Sequence, residues 1–421
     1  METVIVGAGL AGLRCALELQ KNGLNCLVLE SSDEVGGRIR TDRLEGFLLD
    51  RGFQVLLTAY PEAAAVWDAA DLGLSCFKPG AAIYQNGRFE YLLDPWRQPG
   101  KIFTTAFSSI GTLGDKWRIG KLRHHVCSGA LEDLTNRSEK TTISYLRDFG
   151  FQESFIDAFF RPFLGGIFLE SGLETSSRKL EFVFRMFSEG SAALPREGMQ
   201  QLPNSLASRL HPGSIRTNCR VQKIEGRQLW LENGERLEPE HVVLACDLGG
   251  VSQLLGPGKL PGNPPQFQGT TCYYYSAPEA PVTEPLLHLN GQQTGPINNL
   301  CVPSMVQPSY APPGQALVSI SVVDPEFCQQ AEEVLDREIR TQAEQWFGES
   351  VRQWRLLKSY RIPEALPAQQ PGQDWGHMRP HLDNNTFICG DYLAGGSING
   401  ALRSGRETAE TVLERAATTV G

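Results

Sequence analysis

The sequence predicts an α/β protein: a parallel sheet opens the chain, a mixed α+β part is inserted into it, and the last segment returns to complete it. Three observations carry this. Residues 7–12 read Gly-Ala-Gly-Leu-Ala-Gly between an apolar strand and a helical segment. Glu30 closes a second apolar strand. Far along the chain, an apolar run from Thr386 to Cys389 precedes a helical segment from Ser397 to Ala416, with Ala401, Ala409 and Val412 on one face.

Taken in order, Val4-Ile5-Val6 is a short buried strand, Leu10 to Lys21 has the spacing of a helix, Asn22-Gly23 ends it, and Leu24 to Glu30 is a second buried strand. Together they make one βαβ unit. The glycines from Ser31 to about Ile83 suggest a backbone wrapped closely around something rather than regular structure. The stretch from Tyr84 to Glu189 reads as mostly helical. Strand chemistry returns from Ile215, with a small meander about Asn233-Gly234 and a buried strand from His241 to Cys246. A proline-rich stretch (Pro257, Pro261, Pro264, Pro265) then leads to strands from Thr271 to Ser276 and from Ala316 to Val323, and to a polar helix from Pro325 to Phe347. The expected division is 1–83, 190–255 and 376–421 for the nucleotide-binding part. The substrate-binding part takes 84–189, its helical portion, and 256–375, its sheet portion.

A chain of 421 residues is long enough for two or three domains with a large core. Its net charge of -9 excludes nucleic acid as a partner, because phosphate binding needs a dominant basic face. The ten cysteines are scattered singly, without C-x-x-C or His/Cys spacing, so they read as thiols in a reducing compartment and no metal is expected. The first strand follows Met1 almost at once, which argues against a secretory leader, and no apolar run is long enough to span a bilayer. The expectation is a cytoplasmic protein, at most peripheral at a membrane. Nothing in the sequence specifies an oligomeric state.

The G-x-G-x-x-G turn lies between a strand and a helix, the context that gives the pattern meaning. Gly7 permits the tight turn, Gly9 lets the backbone approach a pyrophosphate, and Gly12 lets the helix pack close to the strand. The phosphates then sit over the first helical residues, Leu10 and Ala11, where the dipole favours an anion by about 0.3 to 1 kcal/mol. This is a Rossmann-type unit. Glu30 stands where a carboxylate accepts hydrogen bonds from an adenosine ribose. It would repel a 2'-phosphate, which disfavours NADP and leaves NAD and FAD open.

The remaining motifs resemble the flavin amine oxidase superfamily, which includes amine oxidases, protoporphyrinogen oxidases and phytoene desaturases. They are Gly36-Gly37-Arg38-Ile39-Arg40-Thr41, Asp50-Arg51-Gly52-Phe53-Gln54, Pro195-Arg196-Glu197-Gly198-Met199, Arg361 to Pro367, and Gly390-Asp391-Tyr392 followed by Ser397-Ile398-Asn399-Gly400-Ala401. The resemblance implies FAD as cofactor and an oxidoreductase. It also implies that Arg38 approaches the pyrophosphate, Val221 offers its backbone to adenine, and Asp391 accepts a hydrogen bond along the ribitol. A helix starting at Ile398 to Gly400 would present free amides to flavin N1 and O2, stabilising the charge gained on reduction. Gly400 and Gly405 cost about 1 kcal/mol each in a helix, so close approach of a ring or another backbone is expected there.

The amine-oxidising branches carry a lysine near flavin N5 on a substrate-domain strand. No lysine occurs here between Lys259 and Lys358. Hydride transfer from a hydrophobic small molecule, of desaturase, dehydrogenase or oxidase type, is therefore favoured over amine oxidation. A redox-neutral flavin isomerase and a non-enzymatic electron carrier are the further alternatives. No nucleophile elbow or H-E-x-x-H motif is present, and no catalytic residue is assigned. Phe151, Phe155, Phe159 and Phe163 recur every four residues on a helix expected to end at Arg161-Pro162, with core packing favoured over a substrate wall. Tyr273, Tyr275 and Phe163 are the pocket candidates. Between Leu92 and His125, Trp96, Phe103, Phe107 and Trp117 lie among basic residues, as in a helix that meets a membrane or one that caps the substrate domain.

Overall fold

The computed structural model describes residues 3–98, 100, 108–256, 260, 265–373, 380–383 and 385–419. Its first sheet is parallel throughout, in the order Ile215–Arg216, Cys26–Leu29, Thr3–Val6, His241–Leu244, Thr386–Ile388. Side chains alternate across it. Ile5, Val28, Val243 and Phe387 pack against the helices Leu10–Lys21 and Ile398–Thr419 on one face. Val4, Leu27, Val242 and Ile388 meet the meander Val221–Glu225, Gln228–Leu231, Arg236–Leu237 on the other. A sheet covered on both faces needs continuous apolar strands, which is why these short runs are Val-, Ile- and Leu-rich.

The second sheet has seven strands, in the order Arg355–Pro367, Phe267–Ala277, Ala316–Val322, Asn299–Cys301, Leu287–Asn290, Gly80–Gln85, Arg88–Leu93. It is antiparallel except where Leu287–Asn290 runs parallel to Gly80–Gln85. Strand Gly80–Gln85 straddles the expected break after residue 83. With Arg88–Leu93 it forms a hairpin about Asn86-Gly87, so the stretch read as helical begins with strands. Both turn residues have positive φ, 53° and 78°, as a tight hairpin demands.

Helix Glu332–Phe347 covers one face of this sheet. It does not begin at Pro325. Asp324 caps a single turn, Pro325–Cys328, and Ala331 starts a separate helix. A helical cluster, Leu113–Cys127, Thr142–Asp148, Arg161–Phe168 and Ser177–Glu189, packs against strands Gly80–Gln85 and Leu287–Asn290 through Ala81, Ile83 and Leu289, around Phe155, Phe160 and Leu164.

The expected helix end at Arg161-Pro162 is not found. Ile156–Phe160 forms a π-helical turn, and Pro162 enters the first turn of Arg161–Phe168. The wider turn removes the carbonyl with which the proline ring would collide, so the helical path continues. It also changes the helical phase midway along the phenylalanine stripe.

Candidate functional site

The strand Thr3–Val6 delivers the chain to the glycine turn, and each glycine answers to a different constraint. Gly7 has φ 111°, and a Cβ there would lie 2.7 Å from the Ala245 carbonyl oxygen. A Cβ on Gly12 would stand 2.1 Å from the Gly7 carbonyl oxygen. These two are demanded by the protein's own backbone. Gly9 is not: its φ of -72° suits any residue, and a Cβ would meet nothing within 4 Å. The side chain missing at Gly9 leaves open space against the start of a helix that has no side-chain cap and no acid in its first turn. That space suits a phosphate on the amides of Leu10 and Ala11.

The second glycine loop closes on the first. The Gly36 amide donates to the Ala8 carbonyl at 2.8 Å, and Gly36 and Gly37 have φ of 125° and 60°. Glu30 is buried, with its carboxylate accepting from the amides of Ala8 and Ser32, both at 2.8 Å. The Cys219 amide donates to the Glu30 carbonyl at 2.8 Å, bringing the segment before Val221 alongside Glu30. Val221 begins strand Val221–Glu225, with its side chain in the meander core.

Arg38 reaches across to the C-terminal motif. It pairs with Asp391 and donates to the Ala365 carbonyl at 2.9 Å, so these two expected cofactor residues engage each other. Helix Ile398–Thr419 starts beside them, with the Ser397 hydroxyl accepting from the Gly400 amide at 3.0 Å. The amides of Ile398 and Asn399 precede that bond and have no intrahelical acceptor, while the Asn399 carboxamide accepts from the Glu62 amide at 3.1 Å. The close approaches at Gly400 and Gly405 are to backbone. A Cβ would stand 2.5 Å from the Ala394 carbonyl oxygen and 2.2 Å from that of Ala11. Gly405 thereby locks the last helix onto the glycine-turn helix, and the Gly390 amide donates to the Ser404 hydroxyl at 3.0 Å.

Gly52 has φ 91°, and Phe53 after it turns into a cavity of about 340 Å³. Most of the wall is apolar: Phe77, Ile167, Phe187 and the pair Phe159 and Phe163, stacked at 5.4 Å and 8°. The phenylalanine stripe is therefore divided, Phe151 and Phe155 in the helical core, Phe159 and Phe163 at the wall. Tyr273 and Tyr275 do not line it. They lie beneath helix Glu332–Phe347, with hydroxyls on the Glu332 carbonyl and the Asp336 carboxylate, because strand alternation points them to the covered face. Phe77 and Phe187 carry no sequence signal, since an apolar wall and an apolar core use the same residues.

Asp50, just before this turn, is fully buried. It accepts from the Thr41 hydroxyl at 2.5 Å, the Met199 amide at 2.9 Å and the Tyr310 hydroxyl at 2.9 Å. Burial pushes its carboxyl up to about 6, and these hydrogen bonds oppose the rise.

A family model described as flavin containing amine oxidoreductase matches residues 10–413. The chain belongs to that family. As a flavin-containing amine oxidoreductase it is an oxidoreductase enzyme that binds FAD, and the space over Gly9, the Glu30 carboxylate and the start of helix Ile398–Thr419 fit that group. It is 29% identical over 163 residues to protoporphyrinogen oxidase 2 of Arabidopsis thaliana, 38% of this chain and 31% of that protein. It is 34% identical over 77 residues to coproporphyrinogen III oxidase of Propionibacterium freudenreichii, 18% of this chain and 15% of that one. The chain spans about a third or less of the length of the first curated relatives it matches. Cyclohexylamine oxidase of Brevibacterium oxydans has the same fold, with a TM-score of 0.74 at 15% identity over 99% of both chains.

Proposed function

We propose that this flavin-containing amine oxidoreductase oxidises a hydrophobic small molecule at a C–H bond, and that the apolar cavity beside Phe53 holds that molecule. FAD held over Gly9 and by the Ile398–Asn399 amides would supply the hydride-accepting chemistry. The protein's task is placement: Phe159 and Phe163 provide a flat wall, and Phe53 joins the cavity to the Gly52 turn of the flavin motif. Exclusion of water and fixed orientation are what such a wall contributes to rate.

One observation favours a carbon skeleton over an amine. The charged residues lining the cavity are mainly cationic, Lys78, Arg97, Lys116 and Arg123 against Asp94, with Arg123 bound to Asp94 at 3.1 Å and Lys78 paired at 2.7 Å with Glu284 outside the lining. A cationic rim repels an ammonium. Anaerobic mixing tests this: apolar alkenes, saturated terpenoids or porphyrinogens should bleach the flavin band, and primary amines should not. Bleaching by amines alone overturns the proposal. Turnover of an apolar substrate with the flavin staying reduced and no acceptor consumed would identify the redox-neutral isomerase instead.

The mouth of the cavity carries Trp96 and Leu113, 52% and 71% exposed, and Trp117 is 65% exposed on the same helix as Leu113. Lys121 lies 5.0 Å over the Trp117 ring and Arg123 5.2 Å over Trp96. Exposed aromatics interleaved with cations suit an anionic lipid surface, from which an apolar substrate would enter. Phe103 and Phe107 lie outside the described residues. No helix among the described residues is long and apolar enough to cross a membrane. Co-sedimentation with phosphatidylserine vesicles, lost in a Leu113→Ser/Trp117→Ser variant, is the expected result; equal recovery of both proteins in the supernatant overturns the lipid contact.

A further inference from the structure

Helix Ser177–Glu189 presents Val183 and Met186 to the interior, and Lys179 stands on the same face, four and seven residues before them. Lys179 is 8% exposed. Its ammonium donates to two consecutive carbonyls, Gly395 at 2.5 Å and Gly396 at 2.9 Å. Among the described residues it has no carboxylate within ion-pairing distance, because Asp391, the acid that influences it, is taken by Arg38. Burial draws its pKa down to about 8, with Asp391 opposing.

The two carbonyls belong to the turn that launches helix Ile398–Thr419. Gly395 and Gly396 have φ of 89° and 29°, and the Gly396 amide donates to the Asp391 carbonyl at 2.9 Å. The turn has few ways to be held. It contains no side chain; a Cβ on Gly396 would stand 3.2 Å from Leu366 and from Pro367, and one on Gly395 would stand 3.5 Å from the Gln369 carboxamide. Lys179 thus ties the helical cluster to the segment whose first amides, Ile398 and Asn399, the C-terminal flavin motif would turn towards the ring.

We propose that Lys179 is a positioning residue for the flavin ring: it fixes the Gly395–Gly396 turn, and its charge stabilises the reduced ring. The inference rests on the FAD assignment and adds a residue that no glycine or acidic motif signals. A buried cation without a carboxylate partner acts over several ångströms in a low dielectric, so it favours the more negative redox state. Electrostatics and geometry are separable here. Glutamine retains a donor for the carbonyls without charge, and methionine removes both.

The test uses purified holoprotein of the full chain, with Lys179→Met and Lys179→Gln. FAD affinity is read by titrating apoprotein with FAD, and the midpoint potential by equilibration with a reference dye. Lys179→Met is expected to weaken FAD binding about tenfold and to shift the potential to more negative values. Lys179→Gln is expected to keep affinity within about threefold of wild type and to show the same negative shift. A variant that folds and retains the wild-type potential overturns the charge role; wild-type affinity in Lys179→Met overturns the positioning role. If Lys179→Met does not fold, the potential of Lys179→Gln decides the charge role and its affinity, relative to Lys179→Arg, decides the positioning role. Wild-type protein that takes up no FAD would refute the cofactor assignment instead.

Discussion

The glycine turn at residues 7–12, whose open space fits the FAD phosphates, and the wall at Phe159 and Phe163, proposed to hold the substrate, are built in opposite ways. The turn works by withholding side chains. Its three glycines are spaced by backbone geometry, and only Gly9 is free of a protein neighbour. The wall works by supplying side chains, and its phenylalanines continue a stripe whose first members are core. A site made of backbone leaves a pattern in residue types, whereas a site made of apolar side chains is indistinguishable from packing until the cavity is known.

The sharpest way to break this comparison is at Gly9. Gly9→Glu places a carboxylate in open space at an ordinary φ, so the fold should survive and FAD retention should fall by more than about a hundredfold. Absorbance at the flavin band together with a thermal melt of the apoprotein checks both halves. A yellow, fully loaded variant would falsify the cradle.

Gly12→Ala should do the reverse. Its Cβ would meet the Gly7 carbonyl at 2.1 Å, and overpacking of that kind costs about 3 kcal/mol or more. The expected outcome is a chemically destabilised or insoluble apoprotein, measured by urea unfolding. Unchanged stability with lost FAD would mean that both glycines serve the ligand.

Asp50 stands two residues before the Gly52 turn, and its titration sharpens the contrast. Its folded pKa, about 6, is above the unfolded value of 3.8, so the folded state binds the proton more tightly. That contribution is fully present below pH of about 4 and is lost as pH rises through about 6, by up to about 3 kcal/mol. Wild type should therefore lose stability relative to Asp50→Asn across that window. Parallel unfolding curves for the two proteins from pH 4 to 7 would show that burial does not govern this carboxyl.

At the wall, Phe163→Ala should cost about 2 kcal/mol, less than a fully buried phenylalanine, and should raise KM for an apolar substrate with FAD content unchanged. Loss of FAD here would mean that the wall and the cradle are one structure.

What the sequence made legible follows the same division. Leu10–Lys21 is bounded by Gly9 and by Asn22-Gly23, all local signals, and the structure has the helix at those residues. The strand at Thr386–Ile388 is legible because a doubly covered sheet needs an unbroken apolar run. Pro162 misled because a proline normally stops a helix, and the π-helical turn that accommodates it has no sequence mark. Tyr273 and Tyr275 were correctly placed on one strand face, but which face is covered depends on where Glu332–Phe347 docks, a tertiary fact. Lys179 carried a readable signal, a charge on the same face as Val183 and Met186.

Strand Thr386–Ile388 and helix Ile398–Thr419 complete a cradle begun more than three hundred residues earlier, at Gly7. On the ribosome, the phosphate-binding half emerges first and waits without its ring-binding half through most of translation. The site is thereby incomplete until the late segments have emerged and docked, and a prematurely terminated product lacking them is expected to be colourless.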